Sequence, residues 1–210
     1  MHKGAFVTIE GLEGAGKSSS ISTIKKVLDE HQIPYNTPRE PGGTEVGERI
    51  RDLLLASSDT TMSPMTELLL MFAARHEHVE RIIRPKLADG CWVVCDRFVD
   101  SSYAYQGGGR EISLDVIETL EQISLTNVSP DYTFVLDVPV GEGLKRAGGI
   151  NPPDRFEQED IDFFDRARKV FLARSKDNLK YCVIDAAKPK AIVQQEIRES
   201  FKKFIGRFKE

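Results

Sequence analysis

The sequence has few cysteines, no long apolar run and no excess of positive charge. Its cysteines, Cys91, Cys95 and Cys182, include no CxxC pair, and an odd number gives no sign of a disulfide framework. We therefore expect free thiols, buried for Cys91 and Cys95. The longest purely apolar run, Leu68 to Ala74, is far shorter than the roughly 20 residues of a membrane-spanning helix, so no membrane partner is expected.

The charge balance is slightly acidic, with 29 Lys plus Arg against 33 Asp plus Glu. This argues against a protein that coats nucleic acid or anionic lipid, so any polyanion should be small and met by a local basic pocket. The apolar stretch Ala5 to Ile9 is short and meets Glu10 directly, unlike a signal peptide. We expect a cytoplasmic protein with one domain over residues 1–210.

Short apolar runs alternate with helical patterns along the chain, which predicts a parallel sheet with helices on both faces. Ser63-Pro64 has the order of a helix cap followed by proline at the first helical position. The predicted strands are Ala5–Glu10, Ile33–Arg39 (interrupted by two prolines), Cys91–Cys95, Tyr132–Val138 and Tyr181–Asp185. The predicted helices are Lys17–Glu30, Thr44–Leu55, a long one from Ser63, Ser113–Leu125, Phe163–Lys176 and Ala191–Phe204.

A glycine-rich segment between the first strand and the first helix fits G-x-x-x-x-G-K-[ST] in full. Its glycines allow a tight turn whose N–H groups face inward, and the following helix points its positive end at the same place. Lys17 is expected to reach the β- and γ-phosphates, and the Ser18 hydroxyl to ligate Mg²⁺. The segment predicted to bind ATP is Gly11, Leu12, Glu13, Gly14, Ala15, Gly16, Lys17, Ser18 and Ser19.

A nucleotide-binding loop leaves three classes open: a kinase, a GTPase switch, and a motor or transport ATPase. The sequence has neither the D-x-x-G nor the N-K-x-D motif of a GTPase, and 210 residues is small for a motor. A small-molecule phosphotransferase is favoured. A nucleotide-dependent regulatory protein without turnover remains an alternative from another class.

Polar motifs follow two further predicted strands. Arg39-Glu40-Pro41-Gly42-Gly43-Thr44 ends the second strand, and Cys95-Asp96-Arg97-Phe98 ends the third. Ligands of open parallel sheets bind beyond the carboxyl ends of the strands, so both motifs should border the phosphate loop. Asp96 would then lie near the metal, and Arg97 would grip a phosphate.

Taken together, these motifs resemble bacterial thymidylate kinases. The resemblance covers essentially the whole chain and rests on GLEGAGKS, REPGGT, FAAR, CDRF, the segment Ser101–Arg110 (SSYAYQGGGR) and the element Asp154–Glu157 (DRFE). It implies a P-loop kinase fold with five parallel strands and a short lid at about residues 141–157. It also implies a homodimer that uses ATP and Mg²⁺ to phosphorylate dTMP, with another deoxynucleoside or nucleoside monophosphate kinase as the alternative.

The resemblance also implies individual roles at the acceptor site. Arg97 matches the arginine on the acceptor phosphate, Arg75 the reader of the thymine carbonyl edge, and Tyr105 the residue against the sugar. Glu13 matches an acidic residue that faces the same sugar, an odd neighbour for polyphosphate unless it engages a hydroxyl or a cation. The remaining predicted acceptor residues are Glu40, Arg51, Ser102 and Gln106, the last two on the base.

The family stacks an aromatic ring on the base four residues before the arginine that reads it. Here that position is Met71, with Phe72 next to it, and both lie within reach of the face that carries Arg75. We favour Phe72, because a ring stacks better, with a core position as the alternative for either residue. His76 and His78 lie two apart on a helix, so a shared metal is not expected and both are predicted to be solvated.

The lid departs from the family pattern, since positions expected to be basic hold Gly148 and Ile150. Arg146 and Arg155 remain as candidates to stabilise the transferring phosphoryl group. A surface ion pair of Arg155 with Asp154 or Glu157 is the alternative. The predicted catalytic set is Lys17, Arg97, Glu13, Arg146 and Arg155, with Ser18 and Asp96 as metal ligands.

Overall fold

The computed structural model of the chain describes residues 4–56, 62–148, 155–156 and 158–209. Within them, five parallel strands form one sheet in the order β2-β3-β1-β4-β5, which confirms the predicted α/β fold. The strands are β1 Phe6–Gly11, β2 Tyr35–Asn36, β3 Trp92–Asp96, β4 Tyr132–Asp137 and β5 Tyr181–Asp185.

The predicted second strand is the one that differs most from expectation. It is ladder-paired only at Tyr35–Asn36, with an isolated bridge between Arg39 and Asp96. Pro34 and Pro38 have no N–H group and act only as acceptors, from Trp92 N and Asp96 N. The chain therefore still follows β3 to its end and delivers Arg39 and Glu40 to the carboxyl edge.

The helices follow the predicted pattern closely. Ser63 accepts a hydrogen bond from Thr66 N and Pro64 is the first helical residue, so the predicted cap is confirmed. Two π-helical segments, Val79–Ile83 and Tyr103–Gly109, join neighbouring helices. The helices are α1 Lys17–Glu30, α2 Glu45–Leu55, α3 Pro64–His78, α4 Arg84–Ala88, α5 Val99–Ser102, α6 Leu114–Ser124, α7 Val140–Ala147, α8 Ile161–Ser175 and α9 Lys190–Lys209.

Side chains of β1 alternate between the two faces of the sheet, as the strand period requires. Val7 and Ile9 pack with α1 and α9 in one buried cluster. Phe6 belongs to a second cluster, on the opposite face, with residues of α3 and α6. On that second face Thr8 and Thr133 share a hydrogen bond of 2.8 Å, and Glu10 comes last, at the edge of the site.

The π-helical segment Tyr103–Gly109 lies directly on α8. A Cβ atom at Gly109 would come within 2.3 Å of the Phe163 ring, and one at Gly108 within 2.8 Å of Arg166 O. Only glycine allows this approach, which explains the glycine run without appeal to a ligand. The segment therefore holds Tyr105 and Gln106 in fixed positions beside the sheet edge.

Part of the predicted lid, residues 149–154 and 157, lies outside the described residues, and with it Ile150, Asp154 and Glu157. The described part of the lid consists of residues 141–148, which are α7 without its first residue plus Gly148, and of Arg155 and Phe156. Among the helices that the structure describes, we find none with the length and apolarity needed to cross a bilayer.

Candidate active site

A cavity of about 590 Å³ opens at the carboxyl edge of the sheet, where the predicted motifs meet. One wall is the phosphate loop between β1 and α1, and the opposite wall comes from α3, the turn after β2 and the segment Tyr103–Gly109. The predicted residues that line it are Glu13, Gly14, Gly16, Lys17, Ser18, Ser19, Glu40, Arg51, Met71, Arg75, Asp96, Arg97, Ser102, Tyr105, Gln106 and Arg146.

The phosphate loop has the geometry of an anion-binding site. Gly14 and Gly16 have φ values of 69° and 92°, which favour glycine, and Gly16 caps α1 with no side chain on the first N–H groups. These N–H groups remain available to an anion. Lys17 Nζ donates to Leu12 O at 2.9 Å and Gly11 O at 3.2 Å, which holds it across the loop. Gly11, Leu12 and Ala15 shape the loop without lining the cavity.

Gly14 also makes the closest backbone approach in the site. A Cβ atom there would lie 2.0 Å from Gly143 O and 3.1 Å from Arg146 Cβ, both on α7. The loop and α7 are therefore in direct backbone contact. This contact brings Arg146 to the cavity wall beside the phosphate loop.

The ammonium group of Lys17 has a perturbed acidity. Burial, with a smaller contribution from the charge of Arg97, lowers the pKa of Lys17 to about 8. Glu13 and Asp96 act in the opposite direction and raise it. An arriving polyphosphate would add negative charge and favour the protonated lysine, so the group is suited to meet phosphate.

Ser18 and Asp96, the two predicted metal ligands, both line the cavity. Asp96 Oδ1 is buried and has no hydrogen-bond partner among the described residues. A buried carboxylate oxygen without a partner is costly, and a hard cation would satisfy it. The donor set, a hydroxyl and a carboxylate, fits Mg²⁺.

Arg97 follows β3 in a left-handed conformation, with a φ of 68°. Its guanidinium donates to Gly11 O and Ser101 Oγ and forms an ion pair of 2.8 Å with Glu13. The Tyr105 ring lies beneath this guanidinium, with its centroid 5.0 Å from Arg97 Cζ. The Tyr105 hydroxyl donates a hydrogen bond of 2.8 Å to the Glu13 carboxylate. Burial raises the pKa of Tyr105 well above its usual value, so the hydroxyl stays a donor.

Arg75 is held at the other end of the cavity by three different partners. Nε pairs with Glu40 at 2.7 Å, Nη1 donates to Ser102 Oγ at 2.9 Å, and Nη2 to Phe98 O at 3.0 Å. The guanidinium also lies against the rings of Phe72 and Phe98, at 5.0 and 5.6 Å. The three polar partners thus fix the guanidinium within its own plane, and the two rings pack against it.

The preference for Phe72 over Met71 as the cover of a base is corrected by the structure. Phe72 is buried in the core beneath Arg75, whereas Met71 lines the cavity. Both follow the helical spacing, but only Met71 faces the opening. Phe156, which the sequence analysis did not single out, lines the cavity as well and supplies an aromatic ring.

The two lid arginines are in different environments. Arg146 lines the cavity and donates to Ala186 O at 2.7 Å, in the turn after β5. Arg155 does not line it: Nη1 pairs with Glu67 at 2.7 Å and Nε donates to Leu54 O at 3.0 Å. The expectation that Arg155 faces the transferring group is therefore not supported. Among the described residues its charged partner is Glu67 of α3, while the alternative partners Asp154 and Glu157 lie outside them.

Sequence reasoning missed the buried carboxylates behind the cavity. Glu67 is fully buried and accepts from Gln106 Nε2 at 2.8 Å, besides pairing with Arg110 and Arg155. Glu10 is also fully buried and accepts from Phe98 N and Ser101 Oγ. Burial, and then the charge of Asp100, raises the pKa of Glu10 to about 7. The sequence could have indicated Glu10, because it is an acid in an apolar strand. No feature of the sequence around Glu67 indicates its burial.

His78 is a second correction. It was predicted to be solvated, yet it is fully buried, with Nδ1 2.9 Å from Glu40 Oε1. The exposed His76 agrees with expectation in part, since its Nδ1 lies 2.7 Å from Ser124 O. The approach of the turn after β2 to the end of α3 buries His78, and helical spacing alone cannot reveal that contact.

Comparison with known proteins agrees with this geometry. The sequence profile described as thymidylate kinase matches residues 9–197. A thymidylate kinase of Pseudomonas putida (strain GB-1) is 49% identical over 195 residues, which is 92% of this chain and 93% of that protein. A thymidylate kinase of Teredinibacter turnerae is 43% identical over 203 residues, or 96% of this chain and 99% of that protein. The chain therefore belongs to the thymidylate kinase family of phosphotransferases.

Proposed function

We propose that the protein transfers the γ-phosphoryl group of ATP to dTMP. The observation that carries this proposal is one shared cavity whose lining includes the phosphate loop, the polar side chains of Arg75, Ser102 and Gln106, and Arg97. A donor and an acceptor nucleotide bound there would meet at the arginine. Membership of the thymidylate kinase family supports the same reaction.

Catalysis in this proposal is positioning and electrostatic stabilisation. The N–H groups at the start of α1 and the Lys17 ammonium bind the donor phosphates, and Arg97 binds the acceptor phosphate. Arg146 lies next to the loop and adds positive charge where charge develops during transfer. Mg²⁺, held by Ser18 and Asp96, would neutralise the donor phosphates.

In this proposal Gln106 and Arg75 recognise the acceptor base, and hydrogen bonds to buried residues fix the orientation of both side chains. Gln106 donates its amide NH₂ to Glu67, a carboxylate that can only accept, so the amide oxygen is the end left for a ligand. Thymine offers a donor at N3 between two carbonyl oxygens, which suits this oxygen together with the Arg75 guanidinium. Cytosine has an acceptor at N3 and would face the amide oxygen unfavourably.

The sugar site gives a physical role to the acid in the phosphate loop. Glu13 is bound by Arg97 and by the Tyr105 hydroxyl, so its charge is compensated before any ligand arrives. Glu13 and Tyr105 together form the wall on which the acceptor sugar would lie. Arg51 and Glu40 complete the acceptor half of the cavity.

We further propose that the protein is a homodimer and acts in the cytoplasm. Apolar side chains of α2 and α3 are exposed on adjacent helices: Leu53 is 61% and Leu69 50% accessible. An exposed apolar surface of this kind supports self-association. The free thiols of Cys91, Cys95 and Cys182 support a reducing compartment.

The acceptor preference tests the function directly. We expect dTMP to be turned over with a kcat/KM at least about tenfold above those of dCMP and GMP, because each places an unfavourable group at Gln106 or exceeds the pocket. A coupled assay of ADP release with a panel of nucleosides and nucleoside monophosphates measures this. Comparable turnover of a purine monophosphate would refute the proposal, and ATP binding without turnover of any acceptor would favour a regulatory protein.

Lys17 should show its perturbed acidity in ATP binding. Its pKa of about 8 means that the charged form is lost as the pH rises above that value, so the affinity for a non-hydrolysable ATP analogue should fall from pH 7 to pH 9. Calorimetry measures the dissociation constant. Lys17→Arg keeps the charge and should show a flatter profile, and Lys17→Ala should lose transfer by orders of magnitude while remaining folded. Near-normal activity of Lys17→Ala would contradict the assignment.

The two lid arginines should separate in kinetics. We expect Arg146→Ala to lower kcat at least about tenfold with little change in the KM for dTMP, because its charge lies beside the phosphate loop. Arg155→Ala, the matched variant, should change kcat less than about threefold and lower the melting temperature instead, since it removes a partner of buried Glu67. An equal loss of kcat in both variants, with stability unchanged, would restore Arg155 to the catalytic set.

The dimer proposal is tested by the exposed face of α3. Leu69→Glu should shift the protein from dimer to monomer in sedimentation velocity, because it introduces a charge into an apolar contact. Leu179→Glu is the control, since Leu179 is 90% exposed in the loop before β5. A wild-type monomer, or a dimer indifferent to Leu69→Glu, would show that this surface is not the interface.

A further inference from the structure

The turn after β2 lies on a buried histidine that the reaction as described does not use. His78, in the last turn of α3, is fully buried, and its Nδ1 lies 2.9 Å from Glu40 Oε1. A Cβ atom at Gly43 would come within 2.9 Å of the His78 ring, so the backbone of the turn packs directly on the imidazole. The histidine therefore supports the turn that carries Glu40.

Glu40 divides its two oxygens between two partners. Oε2 pairs with Arg75 Nε at 2.7 Å, and Oε1 meets His78 Nδ1. Both Arg75 and Glu40 are almost fully buried, so they form a compensated pair. Because a carboxylate oxygen can only accept, His78 Nδ1 is the donor in its hydrogen bond to Oε1. His78 Nε2 is buried and has no hydrogen-bond partner among the described residues.

A metal site is the competing interpretation of this cluster. Glu40, His78 and Cys95 each bring one potential ligand atom within 4.8 Å of the others. Both oxygens of Glu40 are already engaged. The cluster is therefore better explained as a hydrogen-bonded support.

The turn after β2 is also held by side chains of α2. Arg51 donates to Pro41 O at 2.8 Å, and Gly43 N donates to Glu48 Oε1 at 2.8 Å. The turn is thus attached to α2 at one side and to α3 through His78 at the other. Removal of the His78 contact would leave Glu40 Oε1 buried without a donor, which favours rotation of the carboxylate away from Arg75.

We propose that His78 is a positioning residue for recognition of the acceptor base. It fixes the Glu40 carboxylate, and the carboxylate in turn orients the Arg75 guanidinium at the end of the cavity. This inference rests on the proposed reading of thymine by Arg75. Its expected signature is a change in the KM for dTMP and in base selectivity, with the KM for ATP unchanged, because Lys17 and the phosphate loop do not contact this group.

Two nearly isosteric variants separate the hydrogen bond from packing. Asn places an amide near the position of Nδ1 and can donate to Glu40, whereas Leu cannot; both lack the outer ring atoms that contact Gly43. We expect His78→Leu to raise the KM for dTMP roughly tenfold and to reduce the preference for dTMP over dCMP. We expect His78→Asn to stay within about threefold of wild type. Equal effects of the two variants would overturn the proposal.

Loss of stability is controlled with Ile83→Ala. Ile83 is fully buried in the core beyond α3 and does not line the cavity, so this variant should lower the melting temperature and leave both KM values unchanged. A shift in the KM for dTMP in Ile83→Ala comparable to that in His78→Leu would attribute the effect to general destabilisation and refute the proposal.

A measurement without substrate separates this proposal from the function on which it rests. The ¹H–¹⁵N signal of Arg75 Nε, assigned by its loss in Arg75→Lys, should be protected from solvent exchange in wild type and in His78→Asn. It should exchange faster in His78→Leu. Equal protection in all three proteins would overturn the positioning role, whereas a wild-type enzyme that ignores dTMP would overturn the function alone.

Discussion

The pairing of two cavity-lining guanidinium groups, those of Arg97 and Arg75, with carboxylates is the interaction on which the site depends. A pocket for phosphate and a pyrimidine needs arginine, yet a buried charge without a partner costs several kcal/mol. Arg97 is paired with Glu13 and Arg75 with Glu40. The acid inside the phosphate loop, which looks out of place beside polyphosphate, is thereby explained: it stabilises the arginine before the ligand arrives.

These pairs are brought together by the parallel sheet. Glu13 follows β1, Glu40 follows the short β2, and Arg97 follows β3, so three separate stretches of chain reach one edge. Because strands of a parallel sheet all end at the same side, partners distant in sequence become neighbours without any long loop. The two prolines beside β2 reduce its ladder but do not prevent it from delivering Glu40.

The sequence was informative where a residue pattern is compatible with only one local structure. The alternation of apolar runs and helical stretches predicted the sheet, and G-x-x-x-x-G-K-S predicted the anion site. The errors arose where the environment of a residue depends on the direction of its side chain or on a contact with a residue distant in sequence. Helical spacing put Met71 and Phe72 equally near Arg75, but only packing distinguishes the one that faces the cavity. His78 and Arg155 owe their environments to Glu40 and Glu67, far away in the chain.

The absence of side-chain space between Gly14 and Gly143 has a consequence for how such proteins diverge. A methyl group at residue 14 would require α7 to move outward, and α7 carries Arg146 with it. The size of residue 14 in the phosphate loop and the position of α7 are therefore coupled. A loop transplanted from a relative with a bulkier residue at this place should be tolerated only together with that relative's own α7.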